Sequence, residues 1–303
     1  MVSSVPVAEA ARRLGGRARS RVSIGAMTTY RVGGVAALYV EINDESALEA
    51  VCTAVSASGV GVLIVGKGSN LLVADAGYSG LAVHLSDGYA EISIDTGLVA
   101  AGGATAYPVL ARRCVAAGLG GMEWAVGIPG SVGGAVKMNA GGHGAETKDR
   151  LASARVVALG GGDAQPRQLS AAQLEFSYRH SVIGQRDLVL AATFELEPRD
   201  PGEGAERLSE IVRWRRENQP GGQNAGSVFT NPPGDSAGRL IDSIGMRGFR
   251  IGTAAVSEKH ANFIQADSGG SADDVRRVID AVRAAVAQRT GVELAIEVRW
   301  ISD

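Results

Sequence analysis

The sequence predicts an α+β chain built from two or three compact units, and three observations carry that expectation. At 303 residues the chain exceeds the roughly 100–200 residues of a usual single domain. Helical and strand-like periodicities alternate along its whole length, without internal repeats or low-complexity tracts. The run Pro198-Arg199-Asp200-Pro201-Gly202-Glu203-Gly204 breaks any regular pattern and reads as a linker.

Taken in order, residues 7–14 have the spacing of a short amphipathic helix. The surrounding segment 1–23 is rich in Ala, Arg and Ser with Glu9 as its single acid, a composition shared with transit peptides, and the helix reading is preferred. Ala, Leu and Val recur at helical spacing over 45–58 and stop at Gly59; 61–65 then switches to a strand, a βαβ-like opening that ends at Gly66. Short strands broken by Asp87-Gly88 and Thr96-Gly97 fill 81–101, followed by a helix over 106–117 closed by Gly118. Residues 152–158 and 187–196 read as strands, with a short helix after Ser170. The last third reads as helices over 206–217, 236–244 and 271–289, the third with Ser271 as N-cap, Asp273 and Asp274 at its positive end, and Gly291 as its stop. A final strand alternates Leu294, Ile296, Val298 and Trp300 with Glu293, Ala295, Glu297 and Arg299. The expected units are 1–80, 81–204 and 205–303.

Composition removes several function classes. Thirty basic against thirty-two acidic side chains leave a net charge of −2, which gives no basic footprint for nucleic acid and no polybasic membrane patch. No apolar run approaches the roughly 18 residues that span a bilayer, and no secretory-signal core is present, so a soluble cytoplasmic protein is expected. Cys52 and Cys114 lie far apart, in helical stretches, and read as buried free thiols. His84, His143, His180 and His260 lack metal-ligand spacing, so no metal is expected.

The chemistry concentrates in glycine-rich loops. Residues 127–142 hold six glycines, and their only charged side chain is Lys137. A backbone this bare suits main-chain amides that touch a ligand, or turns with positive φ. A second such loop, Gly66-Lys67-Gly68-Ser69-Asn70, ends the apolar run 62–65. From Gly61 to Lys67 the spacing mimics a phosphate-binding P-loop, but Gly68 offers no hydroxyl for magnesium and the intervening residues are strand-like. A dinucleotide Gly-x-Gly-x-x-Gly also fails, because Leu71 stands where the third glycine belongs.

Five segments in order resemble those of UDP-N-acetylenolpyruvoylglucosamine reductases: Gly66-Lys67-Gly68-Ser69-Asn70-Leu71-Leu72, residues 127–142, Phe176-Ser177-Tyr178-Arg179, Ala225-Gly226-Ser227-Val228-Phe229-Thr230-Asn231-Pro232, and Glu297-Val298-Arg299. The resemblance runs from about Thr28 to Arg299. It implies a two-part FAD-binding region of the PCMH/vanillyl-alcohol-oxidase type followed by an α+β substrate-binding domain. It also implies FAD as cofactor, NADPH as co-substrate and UDP-N-acetylglucosamine enolpyruvate as substrate.

The cofactor positions implied are Arg31, Gly66, Lys67, Gly68, Ser69, Asn70, Gly127, Pro129, Gly130, Ser131, Gly133, Gly134 and Asn139. For Arg31 and Asn139 an edge turn and a helix cap are the plain structural readings. The pyrophosphate would meet backbone amides, so a chain with balanced charge can hold it. The implied catalytic set is Ser227, Arg179 and Glu297. Ser227 would protonate C2 of the enolpyruvyl group after hydride reaches C3, while the Arg179 fork holds the carboxylate. Glu297 would orient Arg179 or the substrate, with a raised pKa as the alternative; Arg299 is its nearest candidate partner on the predicted strand face.

Tyr178, Arg215 and Asn231 would bind substrate, although Arg213 and Arg216 share the helix of Arg215 and are equally able to reach a phosphate. Two departures stand out. Pro220-Gly221-Gly222-Gln223-Asn224 is less apolar than the usual approach to the serine and suggests a mobile loop. The stretch from Arg179 to Leu188 has no room for a tyrosine-bearing insertion, which points to the shorter subclass. Competing readings are another FAD-dependent oxidoreductase of the same superfamily, or a non-catalytic nucleotide-sugar binding protein.

Overall fold

The computed structural model describes residues 4–161 and 164–303. The chain forms two compact units, one of Met1–Arg21, Ala37–Lys67 and Ser79–Trp214, the other of Val22–Ala36, Gly68–Tyr78 and Arg215–Asp303. Seven α-helices occur among the described residues: α1 Val5–Leu14, α2 Glu45–Ser58, α3 Tyr107–Ala116, α4 Val132–Met138, α5 Pro201–Asn218, α6 Ala237–Ser243 and α7 Ala272–Thr290. Among the described residues no helix is long and apolar enough to cross a membrane.

The first unit is built on two larger sheets, each with its own core. In a four-stranded sheet the order is Ala18–Ser23, Val35–Ile42, Tyr78–Leu85, Val62–Val65, and the last two pair in parallel. Helix α2 covers it with Leu48, Val51, Cys52 and Val55, which pack with Val7 and Leu14 of α1 and with Leu81 and Val83. Asp44 caps α2 by accepting from Ala47 N–H at 2.7 Å, and Gly59 stops it at φ 65°. The other sheet is antiparallel and five-stranded, ordered Arg167–Ser170, Leu151–Ala158, Asp187–Glu195, Leu98–Gly102, Ile92–Asp95. Helices α3 and α4 bury Tyr107, Leu110, Val132 and Val136 against Val156, Val189 and Phe194 of this sheet.

The second unit packs α6 and α7 on an antiparallel sheet ordered Arg250–Ile251, Ala254–Val256, Ile264–Ala266. Ser271 caps α7 through Asp274 N–H at 3.1 Å, and Gly291 ends it in the left-handed region at φ 73°, as expected from sequence. Asp75 adds a clamp that the sequence did not reveal: its carboxylate accepts from Ser271 Oγ–H at 2.5 Å and from Ala272 N–H at 2.9 Å.

Two expectations are corrected. The run 198–204 is not an irregular linker, because α5 begins at Pro201. Proline is tolerated in a first turn, the Asp200 carboxylate accepts from Glu203 N–H at 3.0 Å, and Gly204 is small where a Cβ would meet Val115 Cγ1 at 2.8 Å. The alternation over 293–300 does not form one strand. Only Arg299–Ile301 pairs regularly, in parallel with Leu71–Val73, while Ile296 makes an isolated bridge to Phe229. Residues 294–298 instead serve the segment that carries Ser227.

Candidate functional site

The two glycine loops differ in what their glycines do. Gly66 of the first loop faces the second, since a Cβ there would lie 2.7 Å from Ser131 Oγ. Lys67 is exposed. Gly68, where the chain enters the second unit, is buried at φ 66°, and a Cβ would meet Met27 O at 2.5 Å. Its carbonyl accepts from Thr29 N–H at 3.2 Å. Asn70 ties this loop to the chain end: Nδ2 donates to Glu297 O at 3.1 Å, and Arg299 N–H donates to Asn70 O at 3.0 Å. Ser69 is half-buried in the same turn, and Arg31 is an exposed residue at φ 54°.

In the second loop, Gly127 is buried at the end of the 3-10 turn Glu123–Gly127, Pro129 is exposed, and Ser131 starts α4 by accepting from Gly134 N–H at 3.3 Å. The bare-amide expectation needs revision here. Gly130 N–H donates to Ile128 O at 2.8 Å, Val132 N–H to Thr105 O at 2.9 Å and Gly133 N–H to Gly103 O at 2.9 Å. A Cβ on Gly133 would stand 3.2 Å from Gly103 O and 3.4 Å from Val189 O, so glycine relieves a tight approach to the sheet there. Gly134 is exposed.

A dinucleotide nevertheless fits the residues present. Thr105, whose carbonyl holds the second loop, is 2% exposed and its hydroxyl has no hydrogen-bond partner among the described residues. A buried hydroxyl left unpaired costs about 1–3 kcal/mol unless a ligand completes it. Gly66 lies against Ser131, and Val132 N–H ties the Thr105 backbone to the same loop, so a phosphate- or flavin-bearing ligand would meet a side-chain-poor cradle close to an unpaired hydroxyl.

Arg179, at φ 57°, sits in a cage that sequence reading missed. Its guanidinium donates to Gly141 O at 3.1 Å, lies 3.6 Å from the Glu146 carboxylate, and stacks 4.9 Å from the ring centre of Tyr178, which is half exposed. Gly141 and Glu146 belong to a small hairpin, Gly141–Gly142 with Ala145–Glu146. Asn139 braces it from within. Fully buried and closing α4 at φ 41°, Asn139 donates through Nδ2 to Glu146 Oε2 at 3.1 Å and Ser177 O at 3.0 Å, while its Oδ1 accepts from Lys148 N–H at 3.0 Å. The helix-cap reading of Asn139 describes its backbone, and its side chain braces the hairpin that holds Arg179. Lys137 donates to Ile183 O at 2.9 Å and Gly184 O at 2.6 Å, pinning the short stretch after Arg179 to α4.

In the second unit, Gly226 at φ 76° turns the chain into half-buried Ser227. The preceding segment is not loose. Asn224 Oδ1 accepts from Gly226 N–H at 3.0 Å, its Nδ2 donates to Gly221 O at 3.1 Å, and Gln265 Nε2 donates to the same carbonyl at 2.9 Å. Glu297 N–H donates to Val228 O at 2.8 Å, which brings the Glu297 segment alongside the residue after Ser227. Asn231 Oδ1 accepts from Ala237 N–H at 3.1 Å, joining this loop to the start of α6. Among the three arginines, Arg213 and Arg216 are exposed, and only Arg215 is half-buried. Burial lowers the pKa of its guanidinium.

Similarity to known proteins covers both glycine loops and the Ser227 segment. The FAD binding domain profile matches residues 36–165, and the profile of the UDP-N-acetylenolpyruvoylglucosamine reductase C-terminal domain matches residues 218–301. The chain is 44% identical over 280 residues to the UDP-N-acetylenolpyruvoylglucosamine reductase of Heliobacterium modesticaldum, covering 91% of this chain and 88% of the relative. It is 43% identical over 288 residues to that of a Synechococcus species, covering 93% and 92%. The crystal structure of the Thermus caldophilus reductase superposes with a TM-score of 0.81 at 33% identity, over 94% of this chain and 100% of that one. The chain belongs to the UDP-N-acetylenolpyruvoylglucosamine reductase family.

Proposed function

We propose that the chain reduces the enolpyruvyl ether of UDP-N-acetylglucosamine enolpyruvate to UDP-N-acetylmuramate, a precursor of peptidoglycan, in the cytoplasm. The observation that carries this reading is the coincidence of an FAD-binding match over residues 36–165 with the ordered Ser227 loop inside the reductase match over 218–301. FAD, when bound, would take hydride from NADPH and deliver it to C3 of the enolpyruvyl group. Functionally, residues 1–80 and 81–204 would hold the dinucleotide and 205–303 the sugar nucleotide.

On the cofactor side, Gly66, Lys67, Gly68, Ser69, Asn70 and Arg31 would frame one loop, and Gly127, Pro129, Gly130, Ser131, Gly133 and Gly134 the other, with the Thr105 hydroxyl supplying a donor. On the substrate side, Arg179 would hold the carboxylate through its planar fork and stabilise the charge that gathers there. The Ser227 hydroxyl would donate its proton to C2, replacing the charge with a new C–H bond, and then regain a proton from solvent. Glu297 would orient substrate or arginine, and Tyr178, Arg215 and Asn231 would bind the nucleotide sugar. The short, Lys137-pinned stretch after Arg179 supports membership of the shorter subclass.

Anaerobic mixing tests the reading. NADPH should bleach the flavin of the purified protein, and the enolpyruvyl substrate should restore its colour with formation of UDP-N-acetylmuramate. Bleaching that is restored by oxygen but not by this substrate would point to a different oxidoreductase, and a protein that retains no flavin would point to a binding protein.

A further inference from the structure

One side chain holds the Ser227 loop from behind. Asn262 is 3% exposed. Its Oδ1 accepts from Phe229 N–H at 3.0 Å and its Nδ2 donates to Phe229 O at 2.8 Å, while its own main-chain carbonyl accepts from Val228 N–H at 2.9 Å. A single side-chain amide thus satisfies both backbone groups of Phe229, closing a ladder where no strand continues. Only an amide of this length carries a donor and an acceptor at that separation. Aspartate would set a lone pair against the Phe229 carbonyl, and glutamine would overreach.

The turn that presents Asn262 is itself rigid. Asn262 N–H donates to His260 Nδ1 at 3.2 Å, Phe263 N–H donates to His260 O at 2.9 Å, and the His260 ring packs edge-on against Phe263 with centroids 4.7 Å apart. From the other side, Glu297 N–H holds Val228 O at 2.8 Å. The two residues after Ser227 are therefore fixed on both edges, and Gly226 before it is fixed by Asn224. The backbone on either side of Ser227 is thus held from outside the loop.

We infer that Asn262 is a positioning residue for Ser227: it sets the aim of the proton-donating hydroxyl without touching substrate or cofactor. This rests on the reductase reading above. Asn262→Ala in the full-length, FAD-loaded protein should leave bleaching by NADPH within about twofold of the native rate. Reoxidation by the enolpyruvyl substrate should slow about 10²-fold, the usual consequence of misplacing a reacting group by about 1 Å.

The double variant Ser227→Ala/Asn262→Ala separates aim from bulk stability. With the hydroxyl already gone, losing its aim should slow reoxidation no further than Ser227→Ala alone. Two penalties that multiply, or a parallel loss of bleaching and reoxidation, would overturn the inference and leave Asn262 as a general stabiliser. Where Asn262→Ala does not fold, Asn262→Asp keeps the acceptor for Phe229 N–H, sets a lone pair against Phe229 O in place of the donor, and is judged by the same cycle. Native protein that bleaches but is not reoxidised by the enolpyruvyl substrate would overturn the reductase reading instead.

Discussion

The second glycine loop and the Ser227 loop look alike in sequence, each a glycine-flagged turn with few charges, yet they are held by opposite means. Around Gly130–Gly134 the backbone satisfies itself: three amides donate to Ile128, Thr105 and Gly103 carbonyls, and Ser131 caps a helix. Around Gly226–Phe229 the backbone is satisfied largely by side chains and distant segments, namely Asn224, Asn262 and the main chain of Glu297. In the first loop glycine is favoured by crowding, since a Cβ on Gly133 would press on two carbonyls. In the second it is required by conformation, since a Cβ on Gly226 would have nothing within 4 Å but the residue sits at φ 76°. A glycine motif therefore marks a tight backbone without saying what makes it tight.

Variants of graded severity separate these two modes of support. The largest effect is expected where support meets chemistry. Arg179→Lys keeps the charge but loses the fork that reaches Gly141 O, and kcat should fall about 10²–10³-fold with little change in melting temperature, as for loss of one donor to a developing oxyanion. Equal turnover would make Arg179 a bystander. Gly133→Val should act through the fold, destabilising it by about 1–3 kcal/mol as overpacking does, and flavin retention should fall only together with the unfolding midpoint. A variant that melts normally yet loses flavin would mean that Gly133 meets the ligand after all.

Gly226→Ala, strained by conformation but free of clash, should cost about 1 kcal/mol in denaturant unfolding, with Gly226→Asn milder. The reverse order would show crowding here too. The smallest effect concerns pH. Burial, aided by Arg247, holds the His260 pKa below its ordinary value of 6.5, so the unfolded chain takes up the proton first. His260 therefore contributes stability above about pH 6.5 that is lost as pH falls toward its folded-state value. His260→Gln should flatten this part of the stability profile; an unchanged slope would assign it to other groups.

Most helices were legible because local signals sufficed: Ser271, Asp273, Asp274 and Gly291 bracket α7, and apolar spacing with Gly59 brackets α2. Elements whose form depends on tertiary contacts were misread. Proline and glycine at 201–204 suggested a break, but Asp200 capping and packing against Val115 make it a helix start. Alternation over 293–300 suggested a strand, whereas those residues close around the Ser227 loop. At the candidate site, sequence motifs singled out Arg179 and Ser227 but not Glu146 or Asn262. A brace such as Asn262 lies 35 positions from the serine it serves, and nothing local to it signals that partnership.

The central claim, that Ser227 supplies the proton while flavin reduction proceeds without it, is tested most directly by Ser227→Ala in anaerobic rapid mixing. Bleaching by NADPH should keep a near-native rate, because that half-reaction delivers no proton to the sugar ether. Reoxidation by the enolpyruvyl substrate should slow about 10²–10⁴-fold, the usual contribution of a positioned general acid. Equal slowing of both half-reactions would reduce Ser227 to a structural residue, and unaltered reoxidation would contradict the mechanism outright.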